Sequence, residues 1–109
     1  MKPTPVYNDS LQFVRWLTTV LPADAPVARR AHEVALELVE HVHLALSGFD
    51  PDIEVEAADR AAARLRALLR VALELGLISD GALLHGARLL EGIGRQLGGW
   101  QRYLRGDTR

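Results

Sequence analysis

Arginine dominates the chemistry available to this chain. Twelve of its thirteen basic residues are Arg, and the planar guanidinium is suited to forked contacts with phosphate or carboxylate. The total charge of −1 gives by itself no reason to expect nucleic acid, but its distribution is uneven. Residues 1–57 carry four basic and nine acidic side chains, whereas residues 58–109 carry nine basic and five acidic. The second half is therefore the surface on which an anionic partner would be met, or the acidic half of another subunit. Within it Arg88, Arg95 and Arg102 recur every seven residues, which on a helix makes a basic ridge. Arg60 and Arg64 border one edge of the preceding apolar stretch, and Arg66 and Arg70 border the other. Glu33, Glu37 and Glu40 form an acidic run that would repel a phosphate backbone.

Other reaction chemistry finds few residues to carry it. There are no cysteines, which excludes disulfides, thiolate zinc sites and Cys nucleophiles. Di-metal bundles need two Glu-x-x-His pairs and two further Glu; here Glu40 and His43 form the single such pair. His32 and His43 lie about 16 Å apart along a helix, too far to share an ion, and flank Leu36 in a manner that fits an interface. His41 is expected to pair with Glu37 one turn away. No H-E-x-x-H, P-loop or dinucleotide fingerprint is present, and no serine is positioned for a triad. No enzyme activity, metal or cofactor is expected. Trp100 and Tyr103 are candidates for base stacking, but Trp100 falls on an apolar seam and is assigned to the core.

The elements that must position these residues are helices. The chain has 109 residues, 49% of them hydrophobic and 25% charged, with 6% aromatics, as expected of one packed all-α domain spanning 1–109. Helices are expected at approximately 9–21, 25–47, 52–75 and 79–105. The first two prolines leave residues 1–8 extended, and Asn8, Asp9 and Ser10 offer caps for the first helix. Asp24 caps the second and Asp50 the third, each followed closely by a proline. Ser79 caps the fourth; Ser10, Ser47 and Ser79 all fall at expected helix ends. Gly48, Gly76 and Gly106 are the natural stops. Short connections imply an antiparallel up-down four-helix bundle. No apolar run approaches the roughly 20 residues needed to span a bilayer. The opening Met1-Lys2-Pro3-Thr4-Pro5 is not an apolar signal segment, so the cytoplasm is the expected compartment.

The last two helices are the most informative. In the third, Ala58, Ala61, Leu65, Leu68, Ala72 and Leu75 repeat in a heptad-like pattern. Leu69, Val71 and Leu73 widen the apolar arc to roughly 200°, beyond the ~100° a bundle helix needs. The excess points to contact with another chain. In the fourth, Leu83, Gly86, Leu90, Ile93, Leu97, Trp100 and Leu104 repeat without a break. Gly81, Gly86, Gly92, Gly94, Gly98 and Gly99 also lie there, and each interior glycine costs about 1 kcal/mol relative to Ala. Gly94 and Gly98, near the seam, are expected to allow close helix packing alongside Trp100. Gly92 and Gly99 lie beside the arginine ridge.

Three stretches carry a family resemblance. They are Leu65-Arg66-Ala67-Leu68-Leu69-Arg70, Leu75-Gly76-Leu77-Ile78-Ser79, and Ala87 through Trp100 with its Ile93-Gly94-Arg95-Gln96-Leu97-Gly98-Gly99-Trp100 run. Together they resemble the accessory variability determinant (Avd) family of diversity-generating retroelements, within a wider group of bacterial four-helix proteins that includes those encoded in ribosomal RNA intervening sequences. The resemblance implies a homo-oligomer, typically a pentameric barrel of four-helix bundles, without catalysis of its own. It implies binding to the element's reverse transcriptase and association with RNA or DNA during mutagenic cDNA synthesis. The contacts would be carried by Arg60, Arg64, Arg66, Arg70, Arg88, Arg95, Arg102 and Arg105. The alternative is a scaffold oligomer whose charged faces serve self-assembly alone.

Overall fold

A computed structural model describes residues 4–22 and 24–106, with Thr4 described by its backbone alone. Their regular structure is α-helical throughout: α1 Thr4–Val20, α2 Pro26–Leu46, α3 Pro51–Glu74 and α4 Asp80–Leu104. The helices pack in sequence, α1 on α2, α2 on α3 and α3 on α4, and α4 returns to α1. The molecule measures 44 × 24 × 18 Å. No helix among the described residues is long and apolar enough to cross a membrane.

The helix starts differ from the expected caps. α1 begins at Thr4 rather than near residue 9. Pro5 occupies its first turn, where a missing N–H costs nothing and the fixed φ is already helical. Asn8, Asp9 and Ser10 therefore lie inside the helix. Ser10 is fully buried, and its hydroxyl donates to the Val6 carbonyl at 2.7 Å. The part of the expected extended segment at residues 1–3 lies outside the described residues. Asp24 does not cap α2: the N-cap is Ala25, without a side-chain bond. The Asp24 carbonyl instead accepts from Arg29 Nη1 at 2.8 Å. Asp50 precedes α3 in the left-handed region at φ 43°, also without a capping bond. Only α4 starts as expected, with Ala82 N–H donating to Ser79 Oγ at 3.1 Å.

The helix stops follow the glycines. Gly48, Gly76 and Gly106 have φ of 87°, 75° and 82°, a region glycine enters without steric cost. After α2, Phe49 N–H donates to the Leu44 carbonyl and Gly48 N–H to that of Ala45. After α3, Leu77 and Gly76 repeat the pattern onto Ala72 and Leu73. These paired bonds satisfy carbonyls that the helix ends would otherwise strand.

The core is built from Phe13, Leu17 and Leu21 of α1 and its exit, Val34, Leu38 and Val42 of α2, Val55, Leu65 and Leu69 of α3, and Leu90, Ile93, Leu97 and Trp100 of α4. Each large side chain fully buried here contributes roughly 1.5–3 kcal/mol. Ala28, Ala31, Ala35 and Ala45 of α2 and Ala58, Ala61, Ala62 and Ala72 of α3 are also buried; such small side chains let helix axes approach closely. The wide apolar arc of α3 is partly explained inside the chain. α3 lies between α2 and α4, so two faces need apolar cover, and Ala62 and Leu69 turn inward. What remains outside is Val71 at 44% exposure and Leu75 at 64%. Leu75, expected in the buried seam, is the residue just beyond the helix end, where the chain turns away from the core.

Candidate functional site

The eight arginines assigned to partner contacts separate into groups once their neighbours are known. Four have carboxylates within ion-pair reach. Arg64 Nη2 lies 3.0 Å from Glu37 of α2. Arg70 lies 3.3 Å from Glu74, Arg60 3.8 Å from Glu56, and Arg95 3.8 Å from Glu91, each one turn away on its own helix. Arg105 lines a recess at one end of the molecule with Asp52, Ile53, Glu56, Gln101 and Leu104. The remaining three, Arg66, Arg88 and Arg102, are exposed and have no carboxylate partner among the described residues. Helical pitch makes the Arg88–Arg95–Arg102 ridge about 21 Å long.

The glycines expected to allow helix packing do something else. A methyl group placed on Gly94 would lie 3.0 Å from Arg66 Nη2, and one on Gly98 would lie 3.6 Å from Arg102 Nη1. Both neighbours are arginine tips, not helix backbone. Arg66 thus reaches from α3 across the surface of α4, and Arg102 leans back one turn along its own helix, the direction helical side chains favour. Close packing occurs at Gly86 instead. A methyl there would stand 2.6 Å from Trp16 Cη2 of α1 and 2.8 Å from Leu69 Cδ1 of α3. Trp16 is held over this point by tilted ring contacts with Phe13 at 5.6 Å and His85 at 5.3 Å. Trp100 is buried at 5% exposure, and Tyr103 is 46% exposed.

The histidines belong to other surfaces. His41 does not pair with Glu37. Its Nδ1 lies 2.7 Å from Glu54 Oε1 across the α2–α3 seam, both side chains being part-buried, while Glu37 is taken by Arg64. His32 Nε2 is 3.0 Å from the Leu21 carbonyl, and the His43 ring stands 6.2 Å from Tyr7. His32 and His43 border two apolar recesses between α1 and α2. One, of about 360 Å³, is lined by Val14, Thr18, Leu21, Pro22, His32 and Leu36. The other, of about 370 Å³, is lined by Tyr7, Val39, Glu40, His43 and Leu44. Leu36, 54% exposed, stands between them. On the opposite side of α1, Gln96 Nε2 donates to Asp9 Oδ2 at 2.7 Å and ties α4 to α1.

The arrangement can therefore attract anions on the α3–α4 side and bury apolar groups on the α1–α2 side. Among the described residues, no group of three His, Asp or Glu side chains gathers to hold a metal ion. The α1–α2 groove was only partly legible in sequence: the placement of His32 and His43 around Leu36 marked it, but the contribution of Tyr7 and Val14 depends on how α1 docks. No family model matches the chain, and neither a curated protein nor a solved structure matches it.

Proposed function

We propose that this chain is a non-catalytic accessory protein of a diversity-generating retroelement, which binds the element's reverse transcriptase and its RNA or cDNA. The observation that carries this reading is the set of exposed arginines on α3 and α4 that have no carboxylate partner among the described residues, Arg66, Arg88 and Arg102. Guanidinium groups without counter-charges are ready to contact phosphate or an acidic protein surface. The Ile93–Trp100 run, one of the three stretches that carry the family resemblance, belongs to α4 as well; its Ile93, Leu97 and Trp100 are buried in the core, and its Arg95 is exposed. A near-neutral total charge limits long-range attraction, so a bound strand would be held locally by α3 and α4.

The same reading includes an antiparallel up-down bundle that assembles into a homo-oligomer, on the family's pattern a pentamer. The cross-helix pairs support the antiparallel order. Contacts run from Leu21–His32 to Tyr7–His43, from His41–Glu54 to Glu37–Arg64, from Arg66–Gly94 to Leu69–Gly86, and from Asp9–Gln96 to Trp16–Gly86. In each series the numbers rise along one helix as they fall along its neighbour. Self-association is supported by Leu36, Val71 and Leu75, which the chain itself leaves uncovered. A second reading is a scaffold oligomer whose charged faces serve self-assembly without nucleic-acid binding; the apolar α1–α2 groove would add a further contact between copies.

The two are separated by co-purification with a reverse transcriptase encoded beside this chain's gene. Capture of the enzyme, weakened by Arg88→Glu with Arg102→Glu while helicity is unchanged, supports the accessory reading. An oligomer that captures neither enzyme nor RNA establishes the scaffold.

A further inference from the structure

The two recesses between α1 and α2 repeat at the interval of a helix. The first is walled on α2 by His32 and Leu36, the second by Val39 and His43. His32 to Val39 and Leu36 to His43 are equal steps along α2, two helical turns each, so the recesses recur at about 10 Å. Leu36, 54% exposed, stands between them as a ridge. Holes at this interval on a seam between two helices accept the apolar side chains of a third. The two recesses differ in lining. Val14, Leu21 and Leu36 make the first apolar. The second adds the ring of Tyr7 and the carboxylate of Glu40. Glu40 has no cationic partner among the described residues, whereas Glu33 is met by Arg30 at 3.6 Å. Arg15 lies one turn before Thr18, which lines the first recess, so the free negative charge belongs to the second.

We infer that this groove docks an amphipathic helix of a partner protein, with two aliphatic anchors two turns apart and a lysine or arginine beside the anchor that enters the second recess. The anchors fill the recesses on either side of Leu36, the recognition mode of a helix laid in a groove. The basic side chain runs its apolar stem over Val39 and Leu44 and brings its charge to Glu40, beside the Tyr7 ring. A second copy of this chain fits less well. No other helix of the described residues exposes two large aliphatic side chains two turns apart: Val71 and Leu75 are one turn apart, and Ile53 and Leu84 have no such neighbour on their helices. In a two-fold pairing of groove on groove centred at Leu36, Glu33 of each copy would meet Glu40 of the other, and like charges disfavour that contact. Leu36 is thereby assigned to a partner helix, and Val71 and Leu75 are left for contact between copies. The inference goes beyond the arginine surface of α3 and α4 and does not depend on it.

The test is fluorescence anisotropy of a labelled synthetic helix of about 20 residues with the whole chain. The peptide carries leucines in a heptad stripe and lysines beside it. One control has the same composition with its leucines dispersed around the helix; a second has glutamate in place of lysine. The stripe peptide should bind, and both controls should bind more weakly. Leu36→Glu should weaken binding at least about tenfold, as loss of a central anchor does. Glu40→Gln should weaken the lysine peptide about threefold, the worth of one partly exposed ion pair, and leave the glutamate peptide no weaker. Circular dichroism checks that both variants are folded, which their exposed positions permit. Failure of the stripe peptide to bind, equal binding of the dispersed peptide, or equal binding by Leu36→Glu overturns the docking site. Equal binding of the lysine and glutamate peptides overturns the basic partner. A fall in particle mass on Leu36→Glu, measured by sedimentation without peptide, gives the groove to a second copy and overturns the inference. Capture of the reverse transcriptase, with its dependence on Arg88 and Arg102, is measured separately, so the groove can fail while the accessory function stands.

Discussion

The same substitution, glycine to alanine, should act in opposite directions at two positions three turns apart on α4. Alanine is favoured over glycine in a helix interior by about 1 kcal/mol, through reduced freedom of the unfolded chain. At Gly98 the added methyl meets only Arg102 Nη1 at 3.6 Å, an ordinary contact with a mobile tip. The full gain should appear, a stabilisation of about 1 kcal/mol. At Gly86 the methyl would lie 2.6 Å from Trp16 Cη2, 2.9 Å from Trp16 Cζ3 and 2.8 Å from Leu69 Cδ1. Trp16 cannot swing away freely, because Phe13 and His85 flank it, and Leu69 is 1% exposed. Overpacking a filled site costs roughly 1–3 kcal/mol, which cancels or exceeds the helix gain. The midpoint estimate is a net loss of about 1 kcal/mol at Gly86, hence about 2 kcal/mol between the two variants. In a domain of this size that is a difference in Tm on the order of 10 °C. Thermal unfolding followed by circular dichroism, with both variants at one protein concentration, measures it. If Gly86→Ala is stabilised as much as Gly98→Ala, the docking of Trp16 over α4 described above is wrong.

Other consequences follow from particular contacts. Ser79→Ala removes the acceptor of the Ala82 N–H and should cost about 1 kcal/mol, read by urea denaturation. Asp24→Ala should change stability little, because its side chain makes no capping bond to α2. For Arg64 and Glu37, a double-mutant cycle to Ala should return a coupling of about 0.5 kcal/mol, the scale of a partly exposed pair; a coupling of zero would remove this link between α2 and α3. Leu36→Glu places a charge between the two α1–α2 recesses. Light scattering should then show a smaller assembly if that groove is a subunit contact, and an unchanged mass would remove it from the interface.

How much of this was legible in the sequence differs from one contact to another. The stops after α2 and α3 were visible because Gly48 and Gly76 act locally, through a backbone conformation that one residue decides. The start of α1 is not legible from Pro5 alone, because proline both breaks a helix interior and is welcome in a first turn, and here it opens the helix at Thr4. Asn8, Asp9 and Ser10 have the chemistry of caps, but Ser10 is buried within the helix and Asp9 is engaged by Gln96 of α4. The periodicity of α4 identified Gly86, Leu90, Ile93, Leu97 and Trp100 as one face. It did not distinguish Gly86, which meets an aromatic ring, from Gly94 and Gly98, which meet arginines. That difference depends on which residue of α1 or α3 lies opposite, and spacing along one helix carries no such information. His41 was assigned to Glu37 by the local one-turn rule, and the partner across the seam, Glu54, replaced it. The basic ridge was visible as a seven-residue recurrence. Which of its charges are neutralised was not, because pairings such as Arg64 with Glu37 are set by the register between helices.

The central claim is that this chain works by association, with its own copies and with an anionic strand. Sedimentation velocity at micromolar concentration, with and without a labelled single-stranded RNA, tests it most directly. The account predicts a species several times the 12.0 kDa chain mass, with RNA co-sedimenting at low salt and released at high salt. A folded particle of single-chain mass, from which the RNA sediments separately at every ionic strength, would contradict it.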